Sequence, residues 1–492
     1  MTRAAPAGQD TPGRTARRVA TNTLSLAVAD IANKLLMFAF YVIAAHRLGV
    51  TDYGVLSFAL AFVTMLAVFT DLGLGAVTAR EIARDHTVAR RYISNTVAIK
   101  LVASVVVVAM TVLLVNLLRY PPKTVRVVYI CSGFVLESAF TSYFVYVFQG
   151  FEKMQFTALT RLIQSGVLIV GVVVIPNGPK ALEHYAVLYV AAGLASVLFA
   201  WAVTALAFVR FKLSFALSEW TQMLRSAAPI GLTIGLVTFY YWNGSALLSK
   251  MHGDAAVGAY SAAFRLTFGA AFLGLAFSGA LYPLLSRLFV ANTQRLSQVT
   301  EFGLRYVTIL VLPIAVVGST LAREVIVLVY GVTYHESVTV FRIVVWWCAF
   351  ATINSLLSNY FMAIDKPAVV TIQSSISLGV NVLGNVFLIP VLGAVGAAIS
   401  IVCAETAGVI YLSIRQLRTI GSICFRRYAL AVLQVVAALV PAVIIAYTVA
   451  RWNLAAAFTL TMISYLTVLV VTRGINRRDF ELVRTMVRRS DV

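Results

Sequence analysis

Long apolar runs separated by short polar connections dominate this chain. A helix that crosses a bilayer needs about 20 mainly apolar residues, and a window of that length finds fourteen candidate spans. They lie at about 19–45, 55–75, 92–118, 126–149, 157–176, 185–209, 226–250, 260–286, 305–330, 338–362, 369–389, 395–414, 428–450 and 454–472. The pattern therefore predicts an all-α, polytopic membrane protein with fourteen transmembrane helices.

The composition excludes most other classes of protein. Hydrophobic residues make up 60% of the chain and charged residues only 12%, whereas soluble proteins carry about 25% charged residues. The net charge is +20, but the cations stand between apolar runs and not on the polar background of a nucleic-acid binder. The four cysteines and five histidines are scattered and no phosphate-binding loop is present. We expect no nucleic-acid partner, no metal and no cofactor.

The distribution of positive charge predicts the orientation. With the N-terminus in the cytoplasm, 26 of the 39 lysines and arginines fall in the tails or inner loops, and 7 fall in outer loops. Cytoplasmic loops carry such an excess. The sequence thus predicts basic cytoplasmic tails at 1–18 and 473–492, in a multi-pass protein of the plasma membrane.

The chain also repeats itself. A shift of 204 residues superposes small residues around the second and eighth spans, an even number of helices apart. The matched residues are Gly49, Gly54, Ser57, Ala59, Ala67, Gly75 and Ala76 on Gly253, Gly258, Ser261, Ala263, Ala271, Gly279 and Ala280. This favours two six-helix lobes in a pseudo-twofold arrangement, 19–209 and 226–414, with two peripheral helices at 428–472. A chance match between alanine- and glycine-rich helices is the alternative.

Cations inside the spans are candidate binding residues, because charge in the membrane core is costly. Asp30 and Lys34 have i,i+4 spacing and can share one face of a helix; they either neutralise each other or face a water-filled cavity, which we favour. Lys100 and Arg161 either face that cavity or snorkel to the inner interface. Arg265 has no acid close in sequence and is the strongest candidate for binding an anion.

The acids and the helix-bending residues suggest movement. Glu137 and Glu405 are candidates for coupling to an ion gradient, or are hydrogen-bonded structural carboxylates. Asp71 precedes a Leu-Gly-Leu-Gly stretch, which favours a turn or helix-end role. Pro229, Gly231 and Gly235 predict a hinge with a close-packing surface in the seventh span.

Several short stretches resemble a known family. Asp52-Tyr53-Gly54, Asp71-Leu72-Gly73-Leu74 and Arg80-Glu81-Ile82-Ala83 are similar to the first-loop and second-helix signature of bacterial Wzx-like polysaccharide-unit flippases. These belong to the multidrug/oligosaccharidyl-lipid/polysaccharide exporter superfamily. Later segments agree in order and spacing over about residues 20–415. They are Gly258-Ala259-Tyr260-Ser261, Phe341-Arg342-Ile343, Asn381 with Asn385, Ile389-Pro390, and Gly393-Ala394-Val395-Gly396 before Glu405.

The resemblance implies a flippase, not an enzyme. It implies transport of undecaprenyl-diphosphate-linked oligosaccharide by alternating access, driven by H⁺, Na⁺ or the membrane potential. Lys34 and Arg265 would contact the diphosphate, and Lys100 and Arg161 would set a positive potential. Asp30, Glu137 and Glu405 are the coupling candidates, because Asn243 stands where many relatives have an acid. The chain would act as a monomer, with or without polysaccharide polymerase and assembly proteins, in lipopolysaccharide, capsule or exopolysaccharide synthesis.

Two other functions stay open at this point. A drug/cation antiporter of the same superfamily is one, although its site would be lined by acids and aromatic residues. A membrane glycan polymerase or transferase is the other, although such enzymes carry a sizeable outer loop with catalytic residues and the longest outer loop here has about ten residues.

Overall fold

The protein is a bundle of helices joined by short turns. The computed structural model describes residues 12–176, 178–419, 425–450, 453–472 and 474. The helices are α1 Pro12–Ala67, α2 Leu74–Arg84, α3 Ala89–Leu117, α4 Pro122–Cys131, α5 Gly133–Gly150, α6 Met154–Val174, α7 Ala181–Val203, α8 Leu217–Ala291, α9 Thr293–Thr320, α10 Ala322–Tyr330, α11 Glu336–Ala363, α12 Pro367–Leu392, α13 Ala394–Leu417, α14 Phe425–Val449 and α15 Leu454–Val471.

The helices of the described chain agree with the predicted spans. Eleven are long and apolar enough to cross a membrane, and a shorter apolar helix covers Ala456–Val471. Two of the eleven, α1 and α8, are each two helices joined at a glycine with non-helical backbone. When α1 and α8 are each counted as two helices and the shorter helix is added, the described residues form fourteen apolar segments. The predicted all-α membrane architecture is therefore confirmed.

Some predicted boundaries are wrong. The second span ends early, because a 3₁₀ turn, Val68–Thr70, and a left-handed Gly73 separate α1 from α2. The ninth span is divided between α9 and α10. Residues 12–18 of the predicted N-terminal tail are helical, while residues 1–11 and nearly all of the predicted C-terminal tail lie outside the described residues.

The two glycine breaks support the internal repeat. Gly49 has φ 71° and ψ 174°, and Gly253, 204 residues later, has φ 80° and ψ −179°. The turns also meet reciprocally: a Cβ on Gly54 would lie 1.8 Å from the carbonyl oxygen of Asp254, and one on Gly258 would lie 2.0 Å from that of Val50. Val50 and Asp254 are themselves 204 residues apart, so the contact is self-complementary, as a twofold axis requires. We call it the glycine clasp.

The chain forms two compact units that differ from the predicted lobes. The first unit contains the chain up to Ala44 together with Val63–Gly235, and the second contains Ala45–Phe62 with the chain from Leu236 onward. The start of α8 belongs to the first unit because it packs against the turn after α1. A Cβ on Gly73 would lie 2.5 Å from the carbonyl oxygen of Ala227, and one on Gly231 would lie 2.4 Å from that of Leu72.

Each unit has its own apolar core. In the first, α2, α3, α5 and α7 bury a cluster that includes Ile93, Tyr143 and Phe148. In the second, α14 and α15 pack on each other and on α9 through residues such as Val435 and Tyr465. Leucines and valines along α3, α12 and α15 are exposed, as expected of surfaces that face lipid.

Candidate functional site

Three of the predicted charges come together in the first unit. Nη1 of Arg161, on α6, lies 2.6 Å from Oδ1 of Asp30, on α1, and both side chains are part-exposed. Lys34 is exposed, and its ammonium interacts electrostatically with both Asp30 and Arg161. The sequence placed Asp30 and Lys34 on one face but did not predict Arg161 as a partner. We call these residues the cation cluster, since Lys34 and Arg161 both lie beside the carboxylate of Asp30.

Lys100 has a different environment from the one predicted. Its side chain is fully buried, and Nζ lies 2.5 Å from Oδ1 of Asp71 and 5.5 Å from the ring centroid of Tyr143. Of the two alternatives for Lys100, the snorkelling one does not fit, because the ammonium is enclosed by protein. Its charge is matched by Asp71, so it adds no net positive potential at this point. Asp71 itself follows the 3₁₀ turn, as the predicted helix-end role requires.

The turn after α1 explains how this ion pair forms. Leu72 and Gly73 both have positive φ, 43° and 84°, a conformation that costs glycine little. These residues redirect the chain into α2 and leave Asp71 facing α3. Nζ of Lys100 also lies 3.5 Å from the carbonyl oxygen of Thr70, an acceptor near the end of the 3₁₀ turn. Lys100 therefore stabilises a helix end as well as a carboxylate.

Glu137 is buried in the first unit among neutral groups. It lies on α5, and Nε2 of Gln164 donates to its Oε1 at 3.2 Å. Gly193 on α7 makes room for it, since a Cβ there would lie 1.9 Å from Cγ of Glu137. The carboxyl group of Glu137 thus has a space opposite Gly193 and a hydrogen bond from an amide.

Glu405 lies in the second unit, on α13, and lines a cavity. The hydroxyl of Tyr240 donates to Oε1 at 2.8 Å, and Nδ2 of Asn354 donates to Oε2 at 2.6 Å. Nε1 of Trp347 donates in turn to the Tyr240 hydroxyl at 3.2 Å. The cavity has a volume of about 260 Å³, and its largely apolar lining includes hydroxyl and amide groups from α8, α11 and α12.

Three asparagines form a neutral cluster in the same unit. Nδ2 of Asn243 donates to Oδ1 of Asn381 at 2.7 Å, and Nδ2 of Asn385 donates to Oδ1 of Asn243 at 2.7 Å. All three are buried. Asn243 therefore serves as the centre of an amide network.

Arg265 stands beside a tyrosine group in the second unit. It lies on α8, is half-buried, and interacts electrostatically with Tyr330 on α10. The ring of Tyr334 lies 5.4 Å from that of Tyr330 and 6.3 Å from that of Tyr53. Arg265 and Lys34 thus belong to different units.

The predicted hinge is not where α8 breaks. The single residue of α8 with non-helical dihedrals is Gly253, and α8 is described throughout. Pro229 therefore lies within continuous helix. Gly231 packs closely on Leu72, as a small-residue surface should, whereas a Cβ on Gly235 would meet nothing within 4 Å.

Sequence reasoning missed the neutral partners of Glu405. Tyr240, Asn354, Gln373 and Ser377 surround its cavity, and none carries a charge that would mark it. An amide inside an apolar span is itself a signal, because a polar group in the membrane core requires a partner. Gln373 and Ser377 also have i,i+4 spacing, and Nε2 of Gln373 donates to Oγ of Ser377 at 2.9 Å.

Comparison with protein families finds two matches. The family described as "Polysaccharide biosynthesis protein" matches residues 19–289, more than half of the chain. The family described as MatE matches residues 229–387.

Two proteins of Haloferax volcanii are similar in sequence. One is described as a probable low-salt glycan biosynthesis flippase, Agl15; it is 22% identical over 384 residues, which cover 78% of this chain and 80% of the relative. The other is described as a probable flippase, AglR; it is 29% identical over 190 residues, which cover 36% of this chain and 38% of the relative.

Solved structures share the fold. The lipid II flippase MurJ in an inward closed conformation matches with a TM-score of 0.78 and 14% identity, over 93% of this chain and 99% of that one. An inward-facing multidrug resistance MATE family transporter of the MOP superfamily matches with a TM-score of 0.59 and 16% identity, over 78% and 94%. The fold predicted from the sequence is therefore that of the transporters of this superfamily.

Proposed function

We infer the function from one premise, that this chain belongs to the polysaccharide biosynthesis protein family. It is a flippase of the superfamily that also contains the MATE transporters. The relatives are described as flippases and transporters, so transport is confirmed over the third candidate, a membrane glycan polymerase or transferase.

The proposed cargo is a glycan unit linked to undecaprenyl diphosphate or a closely similar polyprenyl diphosphate. The two similar proteins are described as flippases, one of them of glycan biosynthesis. We propose that the unit moves from the inner to the outer leaflet of a bacterial plasma membrane by alternating access, with both termini of the protein in the cytoplasm. Lipopolysaccharide, capsule and exopolysaccharide synthesis are the proposed uses.

The observation that carries this proposal is the meeting of two accessible cations in the cation cluster. A diphosphate is bound by cationic and hydrogen-bonding groups that it can reach. Lys34 and Arg161 share one carboxylate and are part-exposed, whereas Lys100 is enclosed with its own. Lys34 is therefore our first candidate contact for the diphosphate. Arg161 is a positioning residue, because it forms an ion pair with Asp30.

Arg265 is the second candidate contact. A guanidinium can bind two phosphate oxygens at once, and its charge persists at any physiological pH. The neighbouring tyrosines offer hydroxyls and aromatic surface of the kind that contacts sugars or phosphates. Asp30, Glu137 and Glu405 are proposed for coupling to H⁺ or Na⁺. The protein is proposed to act as a monomer that delivers its cargo to polymerase and assembly proteins.

The test is complementation in a bacterial strain that lacks its own flippase. The wild-type chain should restore surface polysaccharide, whereas Lys34→Ala and Arg265→Ala should each fall well below it at equal expression. Lys212→Ala, an exposed lysine outside the helices, is the matched control and should complement fully. Full complementation by both site variants would overturn the site assignment, and failure of the wild-type chain would count against the cargo.

A drug/cation antiporter is the second candidate. The match to the MatE family and the shared fold with a multidrug resistance transporter favour it. The intramembrane charge of this chain leans basic, which suits an anionic cargo better than a cationic drug. Resistance to cationic drugs without a glycan defect would support this alternative.

A further inference from the structure

Two short sequence motifs line one cavity in the second unit. Each consists of an amide residue, a serine directly after it and a second serine three positions later: Asn354-Ser355-x-x-Ser358 on α11 and Gln373-Ser374-x-x-Ser377 on α12. All six residues line the cavity of about 260 Å³ that Glu405 also lines. Positions i, i+1 and i+4 lie on one face of a helix, so each helix presents an amide and two hydroxyls to the same space. We call these the serine–amide motifs.

The hydroxyls of the serine–amide motifs keep hydrogen-bonding capacity for a ligand. Oγ of Ser374 donates to the carbonyl oxygen of Val370 at 3.0 Å, and Oγ of Ser355 accepts from Oγ of Ser278 at 3.2 Å. A hydroxyl has one donor and two acceptor positions, so Ser374 can still accept a hydrogen bond and Ser355 can still donate one. The cavity therefore offers donors and acceptors side by side, which suits a ligand with several hydroxyl groups.

A buried acceptor in the first motif has no donor. Oδ1 of Asn354 is enclosed and, among the described residues, has no hydrogen-bond partner. Glu405 fixes the orientation of this amide, because Nδ2 of Asn354 donates to its Oε2 at 2.6 Å and a flipped amide would bring two oxygens together. A buried carbonyl oxygen without a donor costs free energy. A hydroxyl group of a ligand in the cavity can supply that donor.

The charge of the cavity wall disfavours an anionic ligand. Among the described residues that line it, none is a lysine, arginine or histidine. Both oxygens of Glu405 already accept hydrogen bonds, one from the hydroxyl of Tyr240 at 2.8 Å and one from Asn354. A diphosphate would find no counter-charge here. The hydroxyls and amides of the two motifs are therefore the groups that select the ligand.

The size and the wall of the cavity indicate a single sugar ring. About 260 Å³ lies just below the roughly 300–1,000 Å³ of pockets that hold drug-sized ligands, so one small ring fits and an oligosaccharide does not. The apolar part of the wall includes Val237, Tyr241 and Leu275 of α8, and Val237 is 37% exposed, so the cavity opens at the surface of the unit. A sugar ring has apolar C–H faces and hydroxyls at its edge, and thus matches a wall that combines aromatic and aliphatic surface with hydroxyls and amides.

We propose that the two serine–amide motifs bind one neutral sugar ring of the transported glycan. Oδ1 of Asn354 accepts from a sugar hydroxyl, the serines exchange hydrogen bonds with neighbouring hydroxyls, and an apolar face of the ring packs on the wall formed by α8. Arg265, the candidate diphosphate contact of this unit, is ten positions from Leu275 along α8, a rise of about 15 Å. The cavity therefore recognises a sugar of the glycan, away from the diphosphate. Sugar binding stands by itself, whereas its role in selecting the cargo rests on the proposed flippase function.

The experiment measures binding of soluble sugars to the purified full-length protein, so that neither a lipid tail nor flipping is needed. The probes are the methyl glycosides of glucose, galactose, mannose, rhamnose and N-acetylglucosamine, with ethidium as a cationic drug. Tryptophan fluorescence and melting temperature are followed as each probe is added. At least one glycoside should give a saturable change in both. Trp347 should report it, because its Nε1 donates to the hydroxyl of Tyr240 in the cavity wall at 3.2 Å.

Ser374→Ala and Ser375→Ala form a matched pair of variants. Both serines donate to the carbonyl oxygen four residues earlier, each at 3.0 Å, but Ser374 lines the cavity whereas Ser375 is exposed outside it. Ser374→Ala should weaken the half-saturation for the glycoside by about two- to tenfold, the loss of one hydrogen bond. Ser375→Ala should leave it unchanged.

Gly408→Ala tests the site through its shape. A Cβ there would lie 2.7 Å from Nδ2 of Asn354 and 2.8 Å from Oγ of Ser377, so it displaces both motifs and should weaken glycoside binding by at least about tenfold. Gly379→Ala, at an open position of α12, should not. Should Gly408→Ala fail to fold, the pair of serine variants decides alone.

Three results would bear on the proposal in different ways. A wild-type protein that responds to none of the glycosides, or equal half-saturation in Ser374→Ala and Ser375→Ala, would overturn it. Ethidium binding that Ser374→Ala and Gly408→Ala weaken, without any glycoside binding, would overturn it as well, since the cavity would then be a site for cationic drugs. Saturable glycoside binding by a protein that does not flip the lipid-linked glycan would support the sugar site and count against the proposed function alone.

Discussion

The ion pairs of the first unit and the carboxylate of Glu405 in the second unit hold buried charge in different ways. In the first, Lys100 is matched by Asp71 and Arg161 by Asp30, so each of these buried or half-buried cations has a carboxylate partner. In the second, Glu405 is held by a tyrosine hydroxyl and an asparagine amide. An ion pair joins two elements and is costly to break, whereas a carboxyl held by neutral donors can lose its charge without leaving a cation unpaired. Glu137 of the first unit is also held by a neutral donor, Gln164, so the contrast is between the ion pairs and these two carboxyl groups.

The largest effect should come from breaking the ion pair that is most deeply buried. Lys100→Met leaves Asp71 without its partner inside the first unit and should destabilise the protein by about 3–5 kcal/mol. Thermal melting of the purified protein in detergent measures this. The double variant Lys100→Met with Asp71→Asn removes both charges and should recover much of the loss; a double variant less stable than Lys100→Met would contradict the pairing.

The second unit should depend on close neutral contacts, and the glycine clasp is the tightest of them. Gly54→Ala or Gly258→Ala places a Cβ within about 2 Å of a carbonyl oxygen and should cost about 1–3 kcal/mol. The two variants should have similar effects, because the contact is reciprocal, and the double variant should cost less than their sum.

Gly279→Ala is the matched control for the clasp, since a Cβ there would meet nothing within 4 Å. It lies in the same helix as Gly258 and should leave the melting temperature unchanged or slightly raised. Equal losses in Gly279→Ala and Gly258→Ala would show that the contact between the two turns is not the cause.

A smaller effect is expected at Glu405 in Na⁺-free buffer. Glu405→Gln keeps an acceptor oxygen for Tyr240 or Asn354 and removes a buried charge, so stability should change by about 1 kcal/mol or less. Thermal melting in choline chloride measures this. A loss as large as that of Lys100→Met would mean that Glu405 has a fixed cationic partner, and the contrast with the ion pairs would fail.

The smallest effect on stability should come from Arg161. Its side chain is 40% exposed and that of Asp30 is 33% exposed, so water screens the pair and Arg161→Gln should cost roughly 0–1 kcal/mol. Transport should suffer more than stability, because Asp30 is then free to neutralise Lys34. Melting and flipping of the same purified variant separate the two effects.

The sequence predicts features that depend on neighbouring residues better than contacts between residues far apart in the chain. Hydropathy predicts the spans because each helix satisfies its own backbone hydrogen bonds in the membrane. The repeat of glycines can also be read from the sequence. Gly49 and Gly253 stand at equivalent positions of the repeat, and both have a positive φ, which favours glycine. These are local properties of the chain.

Partners far apart in the chain could not be predicted in the same way. Asp30 and Arg161 are separated by 131 positions, and the pair formed by Lys100 and Asp71 depends on a left-handed turn at Leu72 and Gly73. The break in α8 was not predicted, because it lies at Gly253, whose positive φ ends a helix, whereas the predicted hinge at Pro229 lies within continuous helix. The neutral donors of Glu405 carry no charge pattern and emerge only from packing.

Flipping of a lipid-linked glycan in vesicles tests the central claim most directly. The purified protein is reconstituted with a fluorescent oligosaccharide on undecaprenyl diphosphate, and a membrane-impermeant quencher reports the fraction in the outer leaflet over time. The wild-type protein should move the label across the membrane, and Lys34→Ala should slow it by at least about tenfold, the loss of one charge-assisted contact. A rate equal to that of protein-free vesicles, together with uptake of a cationic drug by the same preparation, would contradict the account.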